Sequence, residues 1–391
     1  MAAGRSEAVA AGLQLNEESA LLTIYYANQK EPVTVGTSDG TDEGGPLPGM
    51  SEAVWKAAAG LGEPIGTLMD FLRGTFERYM KDIPADEIRI MVTVPKLEPL
   101  LTQRIPQALV SLGLQRKNIY LQDYLNSFYY YSVNRRRDMW NGDVALLCYE
   151  HEVITGYVMH IDWSKMPALV VVEKGASQAV GERERDGRGD EDWKKEKDRL
   201  FYELLGRLFD RRNVVTSYLV GDFFSQDWAE KSFRFLCTRK HAFQGRNLFT
   251  KGACYAAMER AGMLRMPGDL LFVGEDVVRE NLGMQMRIRG RETYYPLVTA
   301  GVNWYEAHHE CEFIPDEETS IPIVTNPMTG GAEVTHILRL SHLPKRPNRT
   351  TRLKMTVYFT SPTCCEVEVE DMGFGGLQRA THQKWKRQIL F

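Results

Sequence analysis

The hydrophobic pattern of this chain changes period once, near Asp269, and that change sets two folding classes end to end. Ahead of it, apolar runs of strand length alternate with longer stretches whose apolar residues recur at helical spacing. Leu21–Tyr26 and Pro32–Val35 read as a hairpin, followed by the Gly-, Asp- and Thr-rich run Gly36–Gly49. Glu63–Met80 sets Ile65, Leu68, Met69, Leu72, Phe76 and Met80 at helical spacing. Ile88–Val94 is an apolar strand stopped by Pro95; Leu97–Leu112 is a helix with Gly113 as its C-terminal cap. Ile119–Leu121 reads as a strand, Asp123–Val133 as a helix, and Val144–Cys148 with Ile154–Ile161 as a second hairpin that Ala168–Val172 extends. Glu173–Lys197 mixes both charges with glycine and reads as an exposed loop. Leu200, Phe201, Leu204, Leu205, Leu208 and Phe209 then form a helical stripe, Val214–Val220 a strand, and Ala229–Phe235 and Asn247–Ala261 helices. This rhythm is that of an α/β domain.

Beyond the apolar run Asp269–Gly283 the period becomes two. Met284–Arg289, Thr293–Val302, His309–Ile314, Ser320–Val324, Thr335–Ser341, Arg352–Thr360 and Cys364–Glu370 alternate apolar and polar residues between turns, as strands with one buried face do. Seven such runs in so short a span predict a β-sandwich, with a short helix only at Ala380–Phe391. The expected organisation is a first domain over 1–268, a linker over 269–283 and an all-β domain over 284–391.

Composition removes several function classes. Apolar residues make up 43% and charged residues 26%, ordinary globular values. A net charge of −4 argues against nucleic-acid binding by bulk charge, and no apolar run reaches the length of a membrane span. The start, MAAGRSEAVAAGLQL, has its apolar stretch broken by Ser6 and Glu7 and reads as a frayed leader, not a signal peptide. Cys148, Cys237, Cys254, Cys311, Cys364 and Cys365 lack the paired spacing of zinc or redox motifs, so a reducing, cytoplasmic setting is expected.

Three turns stand where an α/β domain would grip a nucleotide: Gly12–Ala20, Val144–Thr155 and Tyr218–Asp227. Each begins as a buried strand and ends in polar, acidic or bulky residues. Backbone N–H groups close on phosphate oxygens only where no Cβ intervenes, so a phosphate cradle calls for glycine. The chemistry here is wrong for that task.

The order of α/β domain, apolar linker and β-sandwich resembles the DnaK-type, 70-kilodalton heat-shock chaperones. The resemblance rests on Ile88–Pro95 with the helix after it (QRIPQALVSLGL), on Asp269–Gly283 running into Leu-Gly, and on Ile323–Gly375, including the proline-rich turn HLPKRPNR and the glycine turn DMGFG. It implies an actin-like, ribonuclease H-like α/β first domain, followed by a peptide-binding β-sandwich. It also implies where nucleotide would sit, and there the chain departs from the family. Gln14, Leu15, Asn16, Glu17 and Glu18 replace the family's first phosphate loop, an Asp-Leu-Gly turn followed by hydroxyl residues. Cys148, Glu150, His151 and Glu152 replace Asp and a glycine triplet, and Gly221 alone survives of an adenosine-loop glycine pair, with Asp222, Phe223 and Phe224 after it. Asp123 matches a carboxylate the family presents; its catalytic lysine would fall in Thr37–Asp86 without an assignable residue. The short spacing from Cys148 to Tyr218 implies a trimmed outer subdomain, and no room remains for the helical lid.

A triphosphate at that site would face Glu17 and Glu18. Each like-charge pair at about 4 Å costs about 1 kcal/mol in water and about 4 kcal/mol near a protein surface. Several such pairs offset the roughly 4–8 kcal/mol of millimolar-to-micromolar binding. The expectation is therefore a non-enzyme, a pseudo-ATPase scaffold that binds a protein or extended peptide and needs no cofactor, with neither ATP nor Mg²⁺ required. No catalytic residue, metal site, nucleic-acid partner or membrane partner is assigned. A divergent ATPase using a carboxylate–metal site of Glu17, Glu150, Glu152 and Asp222, and an actin-like assembly subunit, are the alternatives. Two other clusters read as ordinary structure. His308, His309, Glu310 and Cys311 alternate faces on a strand; Tyr124, Phe128 and Tyr131 form a helix core stripe that Arg135–Arg137 cap, not a base-stacking site.

Overall fold

The computed structural model describes residues 9–36, 44–181, 190–225, 228–315, 319–328 and 330–391. They form two compact units, divided between Gly274 and Glu275.

The first unit opens with strands β1 (Val9–Leu15), β2 (Ala20–Tyr25) and β3 (Val33–Thr34). Helices α1 (Glu52–Ala59) and α2 (Ile65–Tyr79), strand β4 (Ile88–Val94), helix α3 (Pro99–Ser111), strand β5 (Ile119–Asp123) and helix α4 (Tyr124–Val133) follow. The sheet order is β3-β2-β1-β4-β5. β2 runs antiparallel to β1, whereas β4 and β5 run parallel to it and to each other. β1 is buried along its whole length, which is why Val9, Ala10, Ala11 and Leu13 form a continuous apolar run. The same run reads as a frayed leader in sequence; it is the central strand of the sheet.

The second half of the unit repeats the plan. It contains β6 (Asp143–Glu150), β7 (Val153–Asp162), β8 (Ala168–Ala179), α5 (Asp190–Phe209), β9 (Val214–Val220), α6 (Glu230–Cys237), β10 (His241–Gln244), α7 (Leu248–Arg260) and β11 (Leu270–Phe272). Its sheet order is β10-β9-β6-β7-β8-β11. Read from β8 to β10 this is the first sheet over again: β7 is antiparallel to β6, and β9 and β10 are parallel to it. Two copies of this ribonuclease H-like sheet make the fold actin-like. Glu173–Lys197 is not one exposed loop, because β8 continues to Ala179 and α5 begins at Asp190; residues 182–189 lie outside the described ones. The stripe of α5 (Phe201, Leu204, Leu205, Leu208) packs on the second sheet, where Leu208 covers Gly156 and Gly175.

Helices α4 and α7 join the halves. A Cβ on Gly12 would strike the Thr250 carbonyl and the Cys254 amide of α7, and one on Gly252 would strike the Ser127 carbonyl of α4. α7 therefore touches β1 and α4 backbone to backbone, and the Thr250 hydroxyl donates to the Gly12 carbonyl at 2.9 Å. Phe128 and Tyr129 of α4 pack instead with Val144, Leu146 and Met159 of the second sheet.

The run 269–283 is shared out: Leu270–Phe272 pairs in parallel with β8, and Glu280 starts the next strand. The second unit has β12 (Glu280–Ile288), β13 (Arg291–Val298), β14 (His308–Phe313), β15 (Ser320–Pro327), β16 (Val334–Arg339), β17 (Arg352–Ser361), β18 (Cys364–Gly373) and β19 (Lys384–Leu390). They form two four-stranded antiparallel sheets, β13-β12-β15-β16 and β14-β17-β18-β19, which share one core. Leu353, Met355, Val357 and Phe359 of β17 are all buried, as their alternation requires. The expected helix at 380–391 is the strand β19. Trp385, Arg387 and Ile389 share a face; the two apolar side chains enter the core and Arg387 Nη1 donates to the Ile337 carbonyl at 2.8 Å. Among the described residues no helix is long and apolar enough to cross a membrane.

One buried charge pair pins this unit. Arg346, between β16 and β17, donates through Nη1 and Nη2 to both carboxylate oxygens of Asp371 at 2.7 Å each. The Thr381 hydroxyl (2.6 Å), the Thr381 amide (3.1 Å) and the Gly373 amide (3.0 Å) complete the shell of Asp371. Burial alone would raise the Asp371 pKa; these donors, Arg346 foremost, outweigh it and hold the carboxyl well below the usual carboxylate range. Removing one member of such a pair strands the other, so Asp371→Asn should destabilise the unit by about 3–5 kcal/mol in urea unfolding. Because the folded pKa is depressed, the stabilisation is complete above the unfolded value of about 3.9 and is lost as pH falls through and below it. The wild type should therefore lose more stability below about pH 4 than the variant does.

Candidate functional site

The ends of the two sheets carry the three sequence-identified turns, and the first two meet. After Leu15, Asn16 folds its side chain back: its Oδ1 accepts from the Glu18 amide at 3.0 Å, the Ser19 amide at 2.7 Å and the Ser19 hydroxyl at 3.3 Å. This Asx turn consumes N–H groups that an anion cradle would aim at phosphate. Glu17 and Glu18 stay exposed. In the second turn Glu150 pairs with Val153, leaving His151 and Glu152 as a two-residue hairpin loop. Their φ values of 44° and 60° are both left-handed, so this is a mirror-type turn held without glycine. His151 Nδ1 lies 3.8 Å from Glu18 Oε1, which brings the turns of the two sheets face to face.

Beneath that contact is Tyr124, the first residue of α4. Its hydroxyl is surrounded by Gln14 and Asn16 from the first turn and by Glu150 and Cys148 from the second. Burial drives the Tyr124 pKa up, against the lowering influence of the Asn16 and Gln14 side chains. Among the described residues neither the Tyr124 hydroxyl nor Gln14 Oε1 has a hydrogen-bond partner of normal geometry, although both are buried. Burial likewise raises the Glu150 carboxyl, with Glu18 adding to the effect and His151 opposing it. The Cys148 thiol is raised by burial and by Glu150, so it is a poor nucleophile at neutral pH. Asp123 ends β5 and caps α4, accepting from the Asn126 amide at 2.6 Å. Lys56, within Thr37–Asp86, is paired with Glu52 at 2.7 Å and lies in electrostatic reach of Glu17.

The third turn packs against the second through Tyr149, the residue before Glu150. Gly221 has φ 124°, and a Cβ there would stand 2.5 Å from the Tyr149 carbonyl, so the glycine serves close packing of β9 against β6. The Asp222 side chain lies outside the described residues. Tyr149, Phe223, Phe224 and Trp228 cluster behind it, with ring centroids 4.9 Å apart for Tyr149–Phe223 and 6.1 Å for Tyr149–Trp228. The Lys197 ammonium sits 4.7 Å over Tyr149 and 4.4 Å over Trp228, its pKa lowered by burial and partly restored by Glu152. Glu152 thus belongs to Lys197, and Glu150 to Tyr124. Among the described residues no three His, Cys, Asp or Glu side chains group as metal ligands.

Tyr124 and Lys197 escape sequence reasoning because one looks like helix core and the other like a solvated charge. The available signal for Tyr124 is its place immediately after a capping Asp. Elsewhere, Lys354 bonds Glu310 at 3.0 Å and Tyr295 contacts His309 at 3.3 Å, and Arg135 and Arg137 stack on Tyr131 and Trp140 of their own chain.

A family model described as the C-terminal part of a family of unknown function, DUF5716, matches residues 61–275, more than half of the chain. The chain belongs to that family. A second model, for a domain of unknown function, DUF8552, matches residues 277–391. These two matches divide the chain where the fold does. No curated protein matches the sequence. Among solved structures, an inorganic polyphosphate/ATP-glucomannokinase from Arthrobacter sp. strain KM aligns at 14% identity and TM-score 0.38, covering 66% of this chain and all of that one. A ROK family glucokinase from Streptomyces griseus, solved with glucose and AMPPNP, aligns at 10% identity and TM-score 0.37, covering 64% and 98%. Two expectations are corrected. The family is DUF5716 and the structural neighbours are sugar kinases, so membership of the heat-shock chaperones is withdrawn. Those neighbours are enzymes, which removes the ground for reading this DUF5716 chain as a non-enzyme.

The first turn can be tested directly. Asn16→Gly should accelerate hydrogen exchange at the Glu18 and Ser19 amides by about tenfold, the equivalent of one hydrogen bond of about 1.4 kcal/mol, while the melting temperature hardly moves. Unchanged exchange would mean that the Asx turn does not hold those amides.

Proposed function

We propose that the actin-like unit binds a small, neutral, hydroxyl-bearing ligand between the ends of its two sheets, with Tyr124 at the centre. One observation carries this: a buried acceptor, Gln14 Oε1, and a buried hydroxyl, Tyr124, lie close to each other where the first two turns meet, yet among the described residues neither makes a hydrogen bond of normal geometry. Each orphaned group costs about 1–3 kcal/mol. A ligand hydroxyl can donate to Gln14 and accept from Tyr124 at once. Glu18 and Glu150 accept from further hydroxyls and repel phosphate or carboxylate groups, so the reading requires neither nucleotide nor metal. Glucose, bound in one structural neighbour, is a natural first probe. In differential scanning fluorimetry, glucose, mannose and myo-inositol are compared with Mg-ATP. At least one polyol should stabilise the protein, by about 2.7 kcal/mol at one hundred times its Kd, and Tyr124→Phe should weaken that binding about tenfold. Stabilisation by Mg-ATP with none by any polyol would overturn the reading.

A second reading concerns the two-sheet unit, taken as a β-sandwich. A groove of about 690 Å³ opens at one end between Met284, Met286, Phe313, Ile314, Ile321 and Pro322. Its rim charges are already paired, Arg352 with Glu312 at 3.4 Å and Arg287 with Glu292 at 3.9 Å. That favours an extended segment with apolar side chains over a charged one. A fluorescent leucine-rich heptapeptide should bind in anisotropy titrations and lose affinity in Ile314→Glu; equal affinity for both proteins would exclude the groove.

A further inference from the structure

At the far end of α4 from Tyr124, two cavities of about 380 and 190 Å³ share three aromatic walls, Tyr131, Tyr218 and Phe243. They are two parts of one recess, bounded by α4, the inner face of β9 and β10 and the start of α7. The walls are ordered against one another. Tyr218 and Phe243 stack with centroids 5.6 Å apart at 24°, and Tyr131 meets Tyr218 edge-on at 5.3 Å. Phe243 is 41% exposed, so much of this aromatic surface faces open space.

The charge lining the recess is mainly positive. Arg135 lies flat over Tyr131 at 4.2 Å, and among the described residues its buried Nε has no hydrogen-bond partner. Arg136 is already committed through two hydrogen bonds to Asp138, at 3.2 and 2.7 Å. Lys251 lines the smaller cavity, and among the described residues exposed Glu31 is the one acid lining the larger. A guanidinium with an unsatisfied donor beside stacked aromatic rings suits a planar ring that carries an anionic group.

We propose that this recess binds an aromatic anion: the ring lies against Tyr218 and Phe243, and the carboxylate or phosphate reaches Arg135 and Lys251. The site is separate from the cleft at Tyr124 and does not depend on it.

The test is calorimetric titration of the full chain with phenyl phosphate and with benzoate, using phenol and inorganic phosphate as controls for ring and charge. At least one of the two anions should bind about tenfold tighter than either control. Arg135→Gln and Phe243→Ala should each weaken that binding about tenfold, and Glu31→Gln should strengthen it by removing the opposing charge. Phe243 and Glu31 are exposed, so their substitutions leave the core intact. Gln14→Ala, in the cleft, should leave the titration unchanged, which separates failure here from failure of the cleft reading. Phenol binding as tightly as both anions, anion binding unaffected by Phe243→Ala and Arg135→Gln, or no binding of either anion would overturn the proposal.

Discussion

The contact on which the actin-like unit depends is the absence of two side chains. Gly12 and Gly252 let α7 lie directly on β1 and on α4, where any Cβ would meet backbone atoms. Backbone cannot yield as a flexible side chain can, so the spacing of β1, α7 and α4 is set within narrow limits. α4 in turn packs on the second sheet through Phe128 and Tyr129. Sheet, helix pair and sheet thus form one stack, and the distance between the turns at their ends follows from it.

That stack explains why chemistry gathers at Tyr124. β1 delivers Gln14 and Asn16, β6 delivers Cys148 and Glu150, and α4 starts between them. The turns themselves are closed units: Asn16 satisfies its own loop, and His151 and Glu152 form a minimal hairpin. What is left open to a ligand is therefore side-chain rather than backbone chemistry, chiefly an amide oxygen and a phenol hydroxyl. The second unit uses the opposite device. Its buried charges, Arg346 and Asp371, satisfy each other and leave nothing for a ligand.

Much of the architecture is legible from period alone. Alternation in Leu353, Met355, Val357 and Phe359 fixes one face of β17, and the stripe of α5 is read directly from its helical spacing. The misreadings have physical causes. Val9–Leu15 looks like a leader because Ala10, Ala11 and Gly12 are too small to resemble a strand core, yet small residues are what α7 demands there. Trp385 and Ile389 stand four apart and suggest a helix; as a strand they share a face with Arg387, whose exposed guanidinium donates to the Ile337 carbonyl. The sheet-end turns are legible as acidic, but the burial of the Tyr124 hydroxyl among Gln14, Asn16 and Glu150 is not, since it depends on groups brought in by folding.

The sequence by itself determined the two folding classes, the place where one gives way to the other, and the acidic character of the turns. These properties follow from hydrophobic period and residue type, which are local along the chain. Only the tertiary structure decided that the first two turns meet over Tyr124, that Glu150 and Glu152 serve different neighbours, and that Arg135 lies beside an aromatic recess. Each of these joins residues far apart in sequence, and a polar group's need for a partner exists only once burial has taken water away from it.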